Sequence, residues 1–105
     1  MDFNLNEDQQ LIRQTVRAFI EANVVPHASQ WDEEERFPME IVGRLSELGL
    51  FGMAIPAKYG GSELDAVTTA AIIEEVARGD GSLALTVASH NALCSAHIAR
   101  FGNEE

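Results

Sequence analysis

Three side chains able to bind a metal or act in acid–base and nucleophilic chemistry lie close together near the C-terminal end: His90, Cys94 and His97. Helical zinc ligands typically lie four residues apart, whereas the two histidines are seven apart; they share a helix face, and no carboxylate completes a set. A cysteine–histidine pair would need an orienting acid, which is missing here. We therefore predict no metal site and no catalytic residue in this segment.

The carboxylates and glycines form no recognisable catalytic or phosphate-binding motif either. The acidic run at residues 32–35 suits a solvated face, because a cation site needs converging oxygens. Glu74 and Glu75 are neighbours on a predicted helix and point apart, so they cannot be an acid–base pair. Gly60 and Gly61 lack the spacing of phosphate- or dinucleotide-binding loops. The residues alone predict an acidic helical domain without a catalytic set.

Length and composition narrow the class of protein. The 105 residues suffice for about one domain, and a hydrophobic content of 46% excludes compositional disorder. The net charge of −10 argues against nucleic-acid and anionic-membrane partners. A single cysteine excludes an internal disulfide, and no apolar run approaches about 20 residues. Because no targeting peptide is visible, we expect a cytoplasmic protein.

Capping and proline signals predict the first two helices. Asn6 and Gln9 form a capping-box pattern, and apolar residues follow at helical spacing. These inward positions are Ile12, Val16, Phe19 and Ile20. Pro26 suits the first turn of a short second helix that ends in the acidic run. Trp31 is its one large apolar anchor.

The middle of the chain predicts a third helix followed by an irregular segment. Pro38 begins the helix, Gly49 suits its left-handed end, and Leu50 can fold back on Leu45. The inward positions of this helix are Ile41, Val42, Leu45 and Leu48. Residues 51–64 contain glycine and proline without a helical period. We expect residues 53–56 to be extended and residues 57–61 to form a turn or loop.

Two more helices are predicted in the C-terminal half. Asp65 caps the fourth and Gly79 ends it. Its predicted inward stripe is Ala70, Ile73, Val76 and Ala77. Asp80 or Ser82 caps a fifth helix that runs to about Ala99 and is rich in small residues. The sequence thus predicts an all-α fold, a helical bundle of about five helices without a substantial sheet.

The last residues predict a helix stop followed by a new helix start. Phe101-Gly102 is typical of a helix end, Asn103 of an N-cap, and Glu104-Glu105 of an acidic first turn. We therefore expect residues 1–105 to be the front domain of a longer protein.

Three ordered groups of short segments resemble the N-terminal helical domain of the acyl-CoA dehydrogenases. The first contains VPHA at 25–28, WD at 31–32 and RFP at 36–38; the second LSELGLFG at 45–52, IP at 55–56 and YGGS at 59–62; the third EEVAR at 74–78, SLAL at 82–85, HNAL at 90–93 and FGNEE at 101–105. Together they cover essentially the whole chain. No single segment is diagnostic, but their order is specific.

The resemblance implies a three-domain FAD enzyme that removes hydrogen from the α and β carbons of an acyl-CoA thioester. Residues 1–105 would be its helical front domain, without the middle β-domain and the C-terminal helical domain. In that family FAD lies mainly between the domains absent here, and the base is a glutamate outside this segment. Implied partners are an acyl-CoA substrate, the enzyme's own other domains, a homo-oligomer (a tetramer in the family) and electron-transferring flavoprotein.

The resemblance also implies which residues of this chain touch substrate. By matching the family's pocket-lining stretch, Leu93 would contact the acyl chain, with Ser89 and His90 toward the base of the pocket. Short or branched acyl chains fit a histidine there better than very long ones. The alternative for these three side chains is that they are ordinary helix-packing residues. The alternatives for the whole chain are the front domain of an acyl-CoA oxidase or flavin-dependent monooxygenase, and a standalone helical interaction module. The isolated domain is expected to be inactive.

Overall fold

The computed structural model describes residues 2–105, which form helices and turns without a strand. The α-helices are α1 (Glu7–Asn23), α2 (Ala28–Glu33), α3 (Met39–Glu47), α4 (Ala66–Gly79), α5 (Gly81–Ala88) and α6 (Ala96–Phe101); a 3₁₀ turn spans Ala57–Tyr59, and a π-helical segment, Ser89–Ser95, joins α5 to α6. Because α5, the π-helical segment and α6 form one continuous rod, the prediction of an all-α bundle of about five helices is confirmed.

The start of α1 confirms the capping-box prediction. The Asn6 side chain accepts from the Gln9 backbone N–H at 2.8 Å, and the Gln9 side chain accepts from the Asn6 N–H at 3.0 Å. The Gln9 amide also donates to the Thr68 hydroxyl at 3.2 Å. The N-terminal end of α1 is therefore tied to α4. Further along α1, Val16 and Ile20 are buried as predicted.

The second helix begins two residues later than predicted. Pro26 precedes α2 and lies in a turn in which the Ala28 N–H donates to the Val24 carbonyl at 2.9 Å. Val24 is completely buried, and its packing in the core holds this turn in place. The turn occupies the position at which the sequence predicted the second helix to begin. Trp31 is 6% exposed and confirms its predicted role as the anchor of α2.

The end of α3 confirms the predicted Schellman cap. Gly49 has φ +85°, its N–H donates to the Ser46 carbonyl, and the Leu50 N–H donates to the Leu45 carbonyl at 3.1 Å. Leu45 and Leu50 are both buried. Leu48, predicted inward, is instead 45% exposed, because the helix ends there and the chain turns away.

The segment after α3, residues 48–65, joins α3 to α4. It turns tightly at residues 53–56, which were predicted to be extended. The Ile55 N–H donates to the Gly52 carbonyl at 3.3 Å, and Met53 is fully buried. Residues 62–64 then return to this bend. The Ser62 N–H donates to the Gly52 carbonyl, and the Leu64 N–H donates to the Met53 carbonyl. The predicted turn at residues 57–61 is confirmed as the 3₁₀ turn.

The buried face of α4 differs from the predicted stripe. Val76 is buried, but Ala70 and Ala77 are exposed and Ile73 is only half-buried. The buried side chains are Thr68, Ala71, Ile72, Glu75 and Val76. The predicted stripe was wrong because two polar side chains, Thr68 and Glu75, face α1 and find partners there.

Thirteen buried apolar side chains form one core between α1–α5 and the segment after α3: Val16, Ile20, Val24, Trp31, Ile41, Leu45, Leu50, Met53, Ile72, Val76, Leu83, Ala84 and Val87. Helix α4 packs against α1 on one side and against α5 on the other. The core thus supports the first half of the C-terminal rod. No helix among residues 2–105 is both long and apolar enough to cross a membrane.

A buried carboxylate connects α4 to α1. Glu75 is 1% exposed, and its Oε1 accepts from Arg13 Nε and from Arg17 Nη2, each at 2.7 Å. Arg17 Nε also donates to Glu75 Oε2 at 2.9 Å, and Arg78 lies 3.7 Å from the same oxygen. The hydrogen bonds from Arg17 and Arg13 outweigh burial and lower the pKa of Glu75 to about 2.

Replacing Glu75 should therefore change both stability and its pH dependence. Its folded pKa lies below the unfolded value, so its contribution is present above about pH 4.5 and is lost as pH falls toward about 2. We expect Glu75→Gln to lower the free energy of unfolding at pH 7 by roughly 2–3 kcal/mol, after allowance for the partly exposed arginines. Urea unfolding followed by circular dichroism at pH 7, 4 and 3 measures this.

The matched control is Glu74→Gln, because Glu74 is the exposed neighbour on the same helix. This variant should keep the stability and acid sensitivity of the wild type. An unchanged pH profile in Glu75→Gln would contradict the assigned role of the carboxylate.

Two glycines allow a second test of the segment after α3. A Cβ at Gly61 would overlap the Ile55 carbonyl, whereas a Cβ at Gly43, inside α3, would meet nothing within 4 Å. We expect Gly61→Ala to destabilise the domain by roughly 1–3 kcal/mol, and Gly43→Ala to stabilise it by about 0.5–1 kcal/mol through helix propensity. Thermal unfolding of both variants provides the comparison. Equal effects of the two substitutions on the free energy of unfolding would contradict a close approach of Gly61 to the Ile55 carbonyl.

Candidate functional site

The C-terminal rod, residues 81–101, carries the predicted site residues. Its N-cap is Asp80, whose Oδ1 accepts from the backbone N–H groups of Ser82 at 2.9 Å and Leu83 at 3.4 Å. This settles the choice that the sequence left open between Asp80 and Ser82. The rod ends at Phe101, so the stop at Phe101-Gly102 is confirmed. Residues 103–105 are not helical, although Asn103 Oδ1 accepts from the Glu105 N–H.

A π-helical segment interrupts the rod where the sequence predicted an ordinary α-helix. It spans Ser89–Ser95, and at its end the Ala96 N–H donates to the carbonyl of Asn91, five residues earlier. One extra residue per hydrogen-bonded turn rotates everything downstream by about 100° relative to an uninterrupted helix. Helical periodicity could not reveal this, because periodicity assumes a constant rise and rotation per residue.

Asn91 is the buried polar residue of the π-helical segment, with 5% exposure. Its Oδ1 accepts from the Met53 backbone N–H at 2.9 Å. Its Nδ2 donates to the carbonyls of Leu50 and Val87, each at 2.8 Å. The side chain therefore joins the segment after α3 to the junction between α5 and the π-helical segment.

No motif in the sequence marks Asn91 as a structural residue. A signal was nevertheless present: Leu83, Val87 and Asn91 are spaced four apart, so an amide ends an otherwise apolar inward stripe. A buried amide requires partners. The identity of those partners could come only from the tertiary structure.

The three predicted substrate-binding residues occupy different surroundings. Leu93 is 71% exposed and Ser89 is half-buried. His90 is exposed to solvent, and one side of its ring packs edge-on against Phe51. The His90 and Phe51 ring centroids are 5.1 Å apart. The π-helical segment thus carries all three side chains on the surface of the domain, with His90 supported by the segment after α3.

A cleft of about 740 Å³ lies between α3, the segment after α3 and the rod. Its apolar lining includes Met39, Val42, Phe51 and Ile55, and His90 lines its edge at the rod. Ser89 and Leu93 are not among its lining residues. The cleft and the exposed side chain of Leu93 are therefore separate features of the same surface region.

Large apolar side chains lie exposed along the rod. They are Leu85, Leu93, Ile98 and Phe101, each at least 67% exposed. Exposed apolar residues clustered on one element are typical of a surface that contacts a ligand or another domain.

The charged and metal-ligating groups of residues 2–105 do not form a second site. Within this range no three His, Cys, Asp or Glu side chains are placed to hold a metal ion. The ring of His97 contacts Phe101 and the Ala92 carbonyl, away from the partner of His90. Cys94 is exposed and free.

Four of the six arginines are paired with carboxylates. Arg13 and Arg17 bind Glu75, Arg78 binds Glu21, and Arg36 binds Glu40. Arg44 donates to the Asn23 side chain, Arg100 lies over the Phe101 ring and Lys58 over the Tyr59 ring.

Comparison with known proteins is consistent with this geometry. Residues 6–105 match the family profile described as acyl-CoA dehydrogenase, N-terminal domain. The short-chain-specific acyl-CoA dehydrogenase of Clostridium acetobutylicum is 39% identical over 105 residues, which are 100% of this chain and 28% of that protein.

Two solved structures have the same fold over 99% of this chain. One is a glutaryl-CoA dehydrogenase complex with glutaryl-CoA, with a TM-score of 0.92, 38% identity and 27% of that chain covered. The other is a chain in a structure of the electron transferring flavoprotein of Acidaminococcus fermentans, with a TM-score of 0.93, 32% identity and 27% covered. The chain spans about a quarter of the length of these relatives. The resemblance drawn from the sequence is confirmed: this chain belongs to the acyl-CoA dehydrogenase family, whose N-terminal helical domain it forms.

Proposed function

We propose that residues 1–105 are the acyl-pocket domain of an FAD-dependent acyl-CoA dehydrogenase that introduces an α,β double bond into an acyl-CoA thioester. The observation that carries this proposal is the exposed apolar surface of the rod, with Leu93 at its π-helical segment, in a chain whose fold matches the family throughout. FAD and the catalytic base belong to the middle and C-terminal domains. This chain supplies shape and apolar contact.

The individual side chains suit different parts of an acyl site. Leu93 presents an unpartnered apolar side chain of the kind that contacts a hydrocarbon. Ser89 is small and half-buried, and it lies on the same π-helical segment as Leu93. His90, held by Phe51, restricts the base of the pocket and favours a short or branched acyl chain. The similarity to short-chain and glutaryl-CoA dehydrogenases supports this size class.

Glu75 does not serve as the base that removes the α-proton. Its carboxylate is buried, its oxygens are occupied by Arg13 and Arg17, and a pKa of about 2 makes it a weak proton acceptor. The absence of any other buried carboxylate among residues 2–105 supports placing the base in another domain.

The proposal extends to partners and location. The rod's apolar surface suits contact with the enzyme's own other domains, and the family fold suits a homo-oligomer. The structural match to a chain in an electron transferring flavoprotein structure supports that protein as the electron acceptor. A free, exposed Cys94 suits a reducing compartment such as the cytoplasm.

The first test is the coding sequence beyond Glu105. The proposal expects it to continue through a β-domain and a helical domain, and the complete product should bind FAD and reduce a dye with short acyl-CoAs. A stop codon after Glu105 would favour a standalone interaction module. A complete product that produces hydrogen peroxide or hydroxylates its substrate would favour an oxidase or monooxygenase.

Enlarging Leu93 should change the choice of substrate. In the complete product, we expect Leu93→Trp to lower kcat/KM for octanoyl-CoA relative to butyryl-CoA by about tenfold or more, because each methylene in an apolar pocket is worth roughly 1–3 kcal/mol. Steady-state kinetics on both thioesters measures the ratio. The matched control is Leu11→Trp, which enlarges a different exposed leucine, located on α1. A wild-type ratio in Leu93→Trp would refute the pocket role.

The 105-residue chain alone should be inactive. Because FAD in the family lies mainly between domains absent from this chain, we expect no stoichiometric complex with FAD and no dye reduction with acyl-CoAs. A visible spectrum after incubation with FAD and gel filtration, together with dye assays, provides the check. A stoichiometric yellow complex, or turnover above the blank, would place the active site within this domain.

A further inference from the structure

We propose that Asn91 is a positioning residue that sets the orientation of the acyl-facing side chains through the π-helical segment; this rests on the proposed function. The hydrogen-bonding capacity of its side chain is almost fully used. Both Nδ2 donors bind carbonyls, of Leu50 and Val87, and Oδ1 binds the Met53 N–H. Neither a carboxylate nor an apolar group of the same size can make all three bonds.

One of these bonds acts on the helix itself. Asn91 donates to Val87, four residues earlier, at the junction between α5 and the π-helical segment. A side chain that bonds an i−4 carbonyl competes with the backbone ladder and favours a local departure from α-helix. At the end of the segment the Ala96 N–H donates to the Asn91 carbonyl, five residues earlier, so the residue whose side chain bonds Val87 also accepts the π-type backbone bond. The orientation of Leu93, which lies within the segment, depends on the same departure.

The other two bonds act on the support of His90. Leu50 and Met53, which Asn91 binds, flank Phe51 in the chain, and the Phe51 ring packs against His90. The amide therefore holds both the helix that carries His90 and the bend that presents its partner ring. Asn91 itself is buried, so it does not contact the acyl chain in this proposal. It acts through its neighbours.

The test uses two variants of the complete gene product. Asn91→Leu keeps the size of the side chain and removes all three bonds; Asn91→Asp keeps the acceptor for Met53 and removes both donors. Control variants are Asn23→Leu and Asn23→Asp, because Asn23 also donates to an i−4 carbonyl and accepts from the distant Arg44 side chain, but it is the last residue of α1 and not part of the rod. Two readouts are needed: exchange of the Met53 amide by peptide mass spectrometry, and kcat and KM with butyryl- and octanoyl-CoA.

In Asn91→Leu we expect the Met53 amide to exchange about tenfold faster or more. The ratio of kcat/KM between the two thioesters should change by about fivefold or more, mainly through KM, with kcat on butyryl-CoA changed by less than about threefold. Asn91→Asp should shift the ratio in the same direction by about fivefold or more, because its second oxygen would face the carbonyls of Leu50 and Val87. The Asn23 variants should keep the wild-type ratio, although they lose stability.

The outcomes separate this inference from the proposed function. A wild-type ratio in Asn91→Leu, together with an altered ratio in Leu93→Trp, overturns the positioning role and leaves the pocket intact. A wild-type ratio in both variants overturns both. Unchanged exchange at Met53 in Asn91→Leu overturns the linkage itself. If Asn91→Leu does not fold, Asn91→Asp decides, and a wild-type ratio in that variant overturns the proposal.

Discussion

The ion cluster around Glu75 determines how the helices of this domain are arranged. A carboxylate with 1% exposure is costly unless charged donors surround it, and Arg13 and Arg17 on α1 supply them. Helix α4 contacts both α1 and α5. A rotation of α4 that moved Glu75 away from the arginines would leave a buried charge without partners. The cluster therefore favours the arrangement of α1 and α4 in which Glu75 faces Arg13 and Arg17.

A second buried polar group, Asn91, plays a comparable part nearer the surface. Glu75 joins two long helices, whereas Asn91 joins a helix to the irregular segment after α3. Amide groups suit this task because they donate and accept at once. Both polar residues connect parts of the chain far apart in sequence, and both leave the surface of the rod free. Buried polar contacts thus hold a domain whose exposed apolar side chains are available for substrate or for other domains.

Much of the fold could be predicted from local signals. The capping box at Asn6, the Schellman cap at Gly49 and the cap at Asp80 each depend on contacts within a few residues, so their patterns are visible in the sequence. The errors share a different cause. The apolar pattern of α4 points Ala70 and Ala77 inward, whereas the burial of Glu75 depends on arginines some sixty residues away. The start of α2 and the bend at Met53 likewise depend on burial in the common core.

The sequence by itself determined the number of helices, most of their ends and, through ordered short segments, the family. These depend on backbone hydrogen bonds and side chains within one or two turns, which the order of residues specifies directly. Only the tertiary structure decided which polar residues are buried, where the rod becomes π-helical and which way Leu93 and His90 face. Those features depend on contacts between Asn91 and the segment after α3, about forty residues away, and no local pattern contains the geometry of such contacts.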